Sequence, residues 1–451
     1  MMKRRDLMGM LAMGGAALGS ASVFQEARAY ASEKVDQIQT KAMEPIKITD
    51  VKVVLTAPEG IRLVVVKVET SDPGLYGWGC ATFTQRPLVV KTAVEEYLRP
   101  FLIGKNPDAI NDLYQSMYVS SYWRNGPVLN NAISGVEMAL WDIKGKRAGM
   151  PVYQLLGGKA RFAADLYAHA GGRNFEQVLE SVQRWQERGY RNIRAQYSSR
   201  VGGTYGSGRF NREDYPELPE DAQLFDPQEY TRQVPKMFEY LRDKLGYEIN
   251  LLHDTHERVT GAQALYLGKA LEPFQLFFWE DPTSPEDVEH FRIIRQQCAT
   301  PLAMGELFNN INEWLDLVKE RLIDFIRVHI SQIGGVIPAM KLAHFCDYFG
   351  IQTAWHGPGD NSPIGHAANV AIDVVVPNFG IQEQHIFNEK AQEVFQGCLR
   401  IENGYAYPNE APGWGIEVDE EAAKKFPYRE DAPFDFHWGQ TRKPDGSIIK
   451  P

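Results

Sequence analysis

Three acidic residues stand at the ends of three successive apolar runs, 26 residues apart at each step: Asp254 after Ile249–His253, Glu280 after Leu276–Trp279, and Glu306 after Pro301–Gly305. An apolar run of this length followed by a helical stretch is one βα unit. Equal spacing therefore places the three carboxylates at equivalent points of three consecutive strands. In a closed parallel barrel those points meet on the C-terminal face, where catalytic groups sit. Three oxygen ligands that leave positions open suit Mg²⁺, which keeps sites for water or substrate.

The alternation extends well beyond these three. Short apolar runs recur at Ala164–Ala168, Asn192–Gln196, Ile249–Asp254, Leu276–Glu280, Pro301–Glu306, Phe325–Ile330, Ile351–His356 and Phe379–Glu383, with helix-like segments between most of them. Eight such runs predict a (β/α)8 TIM barrel over residues 161–395. A doubly wound open sheet is the competing α/β fold, but no Gly-x-Gly-x-x-Gly fingerprint follows an early strand. Residues 45–160 have a different order. The β-branched stretches Ile46–Leu55 and Ile61–Glu69 precede helical segments, and Ile133, Val136, Leu140 and Ile143 mark one helix face that ends near Gly149. Strands first and helices after predict a separate α+β domain. Residues 396–451 lose the alternation and are expected to wrap back onto that domain or over the barrel mouth. A chain of 451 residues accommodates both parts.

A net charge of −10 argues against a nucleic-acid surface, while local arginines and a bound metal still permit an anionic substrate. The four cysteines are scattered, form no Cys-x-x-Cys pair and read as buried free thiols. The N-terminus stands apart. Lys3-Arg4-Arg5 precedes an apolar, Gly/Ala-rich stretch from Met8 to Phe24, and Ala27-Arg28-Ala29 supplies a small-x-small cleavage site. This layout of residues 1–29 predicts an export signal of the twin-arginine type and a periplasmic mature protein; a cytoplasmic one follows if the signal is not used. Residues 30–44 read as a polar leader, and no other segment reads as transmembrane.

Several further residues carry chemistry. Arg194 ends the second barrel run, and Tyr205 lies in the long loop Tyr197–Pro227 that follows it. A tyrosine titrates at about 10 when free, and a neighbouring guanidinium favours its phenolate, which makes the pair a base for a carbon acid. His256 lies two residues past Asp254 and can face the mouth to protonate a leaving hydroxyl. His253 has the opposite strand phase and is expected to pack behind the sheet. Arg327, His356 and Glu383 fall in or at the ends of three further runs, and His169 follows the first. Together they predict a polar pocket around a substrate. Loss of the proton next to a carboxylate gives an enediolate whose charge a divalent cation offsets. Departure of a β-hydroxyl then yields a 2-keto-3-deoxy acid.

The chain resembles the enolase superfamily, specifically its mannonate dehydratase branch, which includes starvation-sensing proteins. The motifs that carry the resemblance are Trp123-Arg-Asn-Gly-Pro, Ala139-Leu-Trp-Asp-Ile-Lys, Tyr153-Gln-Leu-Leu-Gly-Gly, Leu252-His-Asp-Thr-His, Trp279-Glu-Asp-Pro-Thr, Gly305-Glu, Trp355-His-Gly-Pro-Gly-Asp and Val376-Pro-Asn-Phe-Gly-Ile-Gln-Glu. It implies an N-terminal α+β capping domain on a modified (β/α)8 TIM barrel, assembled into homo-oligomers. It implies Asp254, Glu280 and Glu306 as Mg²⁺ ligands, Arg194 and Tyr205 as the base dyad, and His256 as the acid. His169, Arg327, His356 and Glu383 are implied around the substrate, a sugar acid such as D-mannonate or D-gluconate. Relatives with other activities carry Lys-x-Lys where this chain reads Arg194-Ala-Gln196, which favours dehydration over racemisation. An epimerase or cycloisomerase, and a non-catalytic sugar-acid sensor, are the alternatives. The loop Ala81–Arg86 departs from the Asn-Gly-Arg common in the branch.

Overall fold

The protein is described by a computed structural model that covers residues 43–198, 212–428 and 437–450. The export-signal reading of residues 1–29, nearly all of the leader, and Tyr205 lie outside the described residues. Lys47–Pro451 forms one compact unit. Among the described residues no helix is long and apolar enough to cross a membrane.

The first part is an antiparallel sheet in the order β1 (Ile48–Thr56), β2 (Leu63–Thr70), β3 (Tyr76–Cys80), followed by helices that include α1 (Ile110–Val119) and α2 (Pro127–Ala148). Pro127 opens α2 and Gly149, in the left-handed conformation at φ 63°, closes it. The apolar stripe of α2 is buried as its spacing predicts, but so is most of the rest of the helix: Asn131, Ser134, Glu137 and Asp142 are also inaccessible. The cause is contact on several sides. Helix α2 lies so close to β3 that a Cβ at Gly79 would sit 1.9 Å from the carbonyl oxygen of Gly135.

The barrel strands are β4 (Ala164–Gly172), β5 (Asn192–Tyr197), β6 (Asn250–Asp254), β7 (Trp279–Glu280), β8 (Leu302–Met304), β9 (Phe325–Ile326), β10 (Gln352–Thr353) and β11 (Gln382–Glu383). Each pairs in parallel with its neighbour from β4 to β10, and β11 pairs with β4. A parallel bridge from Thr353 to Phe379, just ahead of β11, closes the ring. Seven long helices follow the first seven strands: α3 (Phe175–Glu187), α4 (Pro227–Leu245), α5 (Gly261–Leu271), α6 (Val288–Gln297), α7 (Ile311–Lys319), α8 (Val336–Asp347) and α9 (Pro363–Asp373). A six-residue helix, Glu389–Val394, follows the eighth.

A layer of Tyr167, Leu252, Phe278, Ala303, Phe325, Ala354 and Ile381 fills the barrel interior. Side chains two apart on a strand share a face. The residue two places after six of these seven is therefore the next one up the bore: His169, Asp254, Glu280, Arg327, His356 and Glu383. The exception is Ala303, where Gly305 at φ 140° breaks the strand and Glu306 takes the site position one residue later. His253 is out of phase and packs outward, as its phase predicts. It hydrogen-bonds the Tyr230 hydroxyl at 2.7 Å and the Ala195 carbonyl at 2.9 Å.

The C-terminal segment touches the first domain and the barrel mouth. Trp414 donates its indole N–H to the Met138 carbonyl on α2, and the Trp438 ring lies 4.9 Å from that of His256 at the barrel mouth. Two buried carboxylates hold α2 to its surroundings. Asp142 accepts from the backbone N–H groups of Trp78 and Trp414 at 2.9 and 2.8 Å. Glu137 accepts from those of Val336 and Ile337 at the start of α8, both at 2.9 Å, and from the Trp141 indole at 2.8 Å. Removing one side of such a buried set leaves donors that cannot reach water. Glu137→Ala is accordingly expected to lower stability by about 3 kcal/mol; a denaturant midpoint matching the unaltered protein would show the contact to be dispensable.

Candidate active site

At the C-terminal face of the barrel a cavity of about 810 Å³ opens between the strand ends, the Phe83–Arg86 loop of the first domain, and Trp438 of the tail. Nine of the ten residues singled out from the sequence converge here; the tenth, Tyr205, is outside the described residues. His169, Arg194, His256, Glu306, His356 and Glu383 line the cavity itself.

The three strand-end carboxylates are arranged with a cationic group between each pair. Arg194 Nη1 lies 3.0 Å from Glu280 Oε1 and 3.6 Å from Asp254 Oδ2. His256 Nδ1 lies 3.5 Å from Asp254 Oδ2 and 3.4 Å from Glu306 Oε1. Arg327 Nη1 bonds Glu280 closely and lies 3.6 Å from Glu306 Oε2. A second tier holds these groups in place. Arg327 Nη2 donates to Glu383 Oε2 at 2.6 Å and to the Tyr167 hydroxyl at 2.7 Å. His169 Nε2 lies 2.7 Å from Glu383 Oε1, and His356 Nε2 lies 3.3 Å from Glu306 Oε2.

One expectation needs correction. Arg327 was placed by its sequence position among the groups that surround a substrate, but it has no exposed surface. It lies behind the carboxylates and braces them.

Electrostatics follow from burial and these contacts. Burial pulls the His256 imidazole down, but Glu306 and Asp254 outweigh it and raise its pKa to about 9. His356 rises to about 9 against the same burial, chiefly through Glu306. Burial alone would raise Glu306, yet the two histidines hold it at about 2. Burial pushes Glu280 up to about 7 in spite of Arg194 and Arg327. Burial and the arginines keep His169 below its ordinary value in spite of Glu383.

Sequence reasoning missed Asp281, His329 and Asp360. His329 and Asp360 line the cavity. His329 carried a usable signal, since Phe325, Arg327 and His329 alternate on one phase. Its Nδ1 accepts from the Ser331 N–H at 3.2 Å, which leaves Nε2 as the protonated nitrogen. Asp281 carried no such signal. On an ideal strand it points away from Glu280, and only its φ of 45° turns it back toward the carboxylates.

The donor set fits a divalent cation. Five carboxylates, Asp254, Glu280, Asp281, Glu306 and Glu383, are buried or nearly so against two guanidiniums. Oxygen-only donors of this kind hold hard ions of the Mg²⁺ and Mn²⁺ class. Asp254 and Asp281 lie with His256, and Glu280 and Asp281 with Glu306, in two groups whose ligand atoms are within 4.8 Å of one another.

Comparison with known proteins agrees with this architecture. Residues 37–157 match the mandelate racemase/muconate lactonizing enzyme N-terminal domain, and residues 177–422 match the enolase C-terminal domain-like family. The fold and site define an enolase-superfamily protein. Within it, the chain belongs to the D-galactonate dehydratase family: it is 51% identical over 420 residues to the member RspA of Pantoea ananatis, covering 91% of this chain and 100% of that one. A member from Musicola paradisiaca is 50% identical over 425 residues, with the same coverage. A crystal structure of an enolase from Pantoea ananatis with bound D-gluconate and Mg superposes with a TM-score of 0.85 at 50% identity, covering 90% of this chain and 100% of that one.

The raised pKa values give a pH prediction for the cation. At pH 7 both His256 and His356 are protonated beside Glu306, and a divalent ion among these carboxylates repels that charge and lowers both values. Metal binding should therefore release protons, and affinity should rise with pH up to about 9. Calorimetry in two buffers of different ionisation enthalpy measures the release; identical heats in both would contradict it.

Proposed function

We propose that this protein is a Mg²⁺-dependent sugar-acid dehydratase that converts an aldonate, D-mannonate or D-gluconate, to its 2-keto-3-deoxy acid. The observation that carries the reading is the convergence of Asp254, Glu280 and Glu306 with Arg194 and His256 around one cavity. The D-gluconate and Mg in the related Pantoea structure, and the D-galactonate in the family name, support the substrate class and the ion. Mg²⁺ held by the three carboxylates would offset the negative charge that develops on the substrate carboxylate when its neighbouring proton leaves.

The chain's own residues supply the rest. Arg194 is fixed by Glu280, and its charge favours the phenolate of a tyrosine brought beside it, the role we assign to Tyr205. His256 faces the cavity and is placed to give a proton to the departing 3-hydroxyl. The contacts of His169 with Glu383 and of His356 with Glu306 set a polar wall for the hydroxyls of an open-chain acid. Exposed Tyr97, Tyr122 and Trp123 offer apolar surface for the homo-oligomer we expect. Residues 1–29 support export to the periplasm.

Turnover of D-mannonate, D-gluconate and D-galactonate with Mg²⁺, followed as 2-keto-3-deoxy product, tests the reading. Product that vanishes with chelator and returns with Mg²⁺ is expected. A folded, metal-loaded protein that turns over none of a wider aldonate panel would defeat it, and tight binding without turnover would select the sensor instead. Two variants separate the chemical roles. Tyr205→Phe should lower kcat by about 10²–10⁴-fold and stop deuterium entry at C2. His256→Asn should slow dehydration while C2 exchange from deuterated solvent continues, and loss of both would refute the assignment of His256 as acid.

A further inference from the structure

Asp281 is fully buried, and among the described residues neither of its carboxylate oxygens meets a hydrogen-bond partner. Its backbone is satisfied: the N–H donates to the Ala303 carbonyl at 2.9 Å and the carbonyl accepts from the Glu257 N–H at 3.0 Å. The side chain is thus the unexplained part. A carboxylate placed among other carboxylates, with no donor to receive, works against folding. The backbone also takes φ 45°, a left-handed conformation uncommon for a residue with a side chain. That twist directs the group to one place. A carboxylate oxygen of Asp281 lies within 4.8 Å of ligand atoms of Glu280 and Glu306, and also within 4.8 Å of those of Asp254 and His256. Asp281 is the residue common to both groups.

Hydrogen bonding does not account for this arrangement, because among the described residues no donor meets either oxygen. Packing does not account for it either, since an asparagine or an apolar residue of similar size would fill the same space without the charge. A cation does account for it. Oxygens that share one Mg²⁺ at about 2.1 Å lie at most about 4.2 Å apart, and an oxygen that accepts from an ion-bound water lies somewhat farther.

We infer that Asp281 is a fourth acidic group of the cation site, holding the ion together with the three strand-end carboxylates, directly or through an ion-bound water. The inference rests on the Mg²⁺ reading above and extends it to a residue outside the expected ligand set. It carries a consequence that a purely structural aspartate would not. Without the ion Asp281 opposes folding, and with the ion it supports it.

The test uses the full chain and measures binding rather than turnover. Mg²⁺ affinity is read by calorimetry and Mn²⁺ affinity by electron paramagnetic resonance, on the unaltered protein, Asp281→Asn and Asp281→Gly. Both replacements tolerate positive φ, so both should fold. Each should weaken Mg²⁺ binding by about 10- to 100-fold. Each should also raise the thermal midpoint of the metal-free protein and shrink the further rise that Mg²⁺ produces. Unchanged affinity in both variants, with the unaltered protein binding Mg²⁺, overturns this inference alone. Failure of the unaltered protein to bind either ion removes the parent reading as well.

Discussion

Two buried guanidiniums organise the barrel mouth. Arg194 on β5 joins the ends of β6 and β7, and Arg327, the residue directly after the last paired residue of β9, joins β7, the Glu306 strand end and β11. Like-charged carboxylates at this separation and burial repel strongly, so the cationic braces are what allows the acidic cluster to exist in a folded chain. A buried guanidinium keeps its charge where a lysine readily loses it, and its planar fork reaches two carboxylates at once. Arg327 shows this, with one terminal nitrogen on Glu280 and the other on Glu383. The braces still leave a deficit of positive charge. That deficit makes the site a cation receptor and not merely a structural ion-pair network.

The first domain completes the site because buried polar bonds tie it to the barrel. Glu137 on α2 caps the start of α8, and Asp142 on the same helix receives Trp414 from the tail. These contacts set the position of β3 and of the Phe83–Arg86 loop that overhangs the cavity. Trp438, which packs against His256, adds a second wall from the far end of the chain.

The eight strands and most of the charged site residues were legible because one rule, the two-residue period of a strand, operates locally. Tyr167 and His169, Leu252 and Asp254, Ala354 and His356 each show an interior residue followed by a site residue on the same face. The rule breaks where the backbone leaves the strand. Glu306 is out of phase with Ala303 because Gly305 turns the chain, and Asp281 returns to the cluster through a positive φ. The depth of Arg327 was illegible for a related reason. Strand phase tells which face a side chain takes, but a long side chain reaches the cavity or stays behind its neighbours according to what they offer. Glu137 and Asp142 were read past because helix periodicity assumes one solvent face, and α2 is covered on nearly all sides.

By itself the sequence determined that the chain forms an α+β domain and a parallel (β/α)8 barrel, and that carboxylates crown adjacent strands of it. Those features come from residue spacing along single elements, which local geometry converts directly into position. Only the tertiary structure decided which charges touch, which arginine serves as a brace, and which acid has no partner. Those outcomes depend on distances between residues far apart in the chain and on the loss of water around them, and neither is written in any one segment.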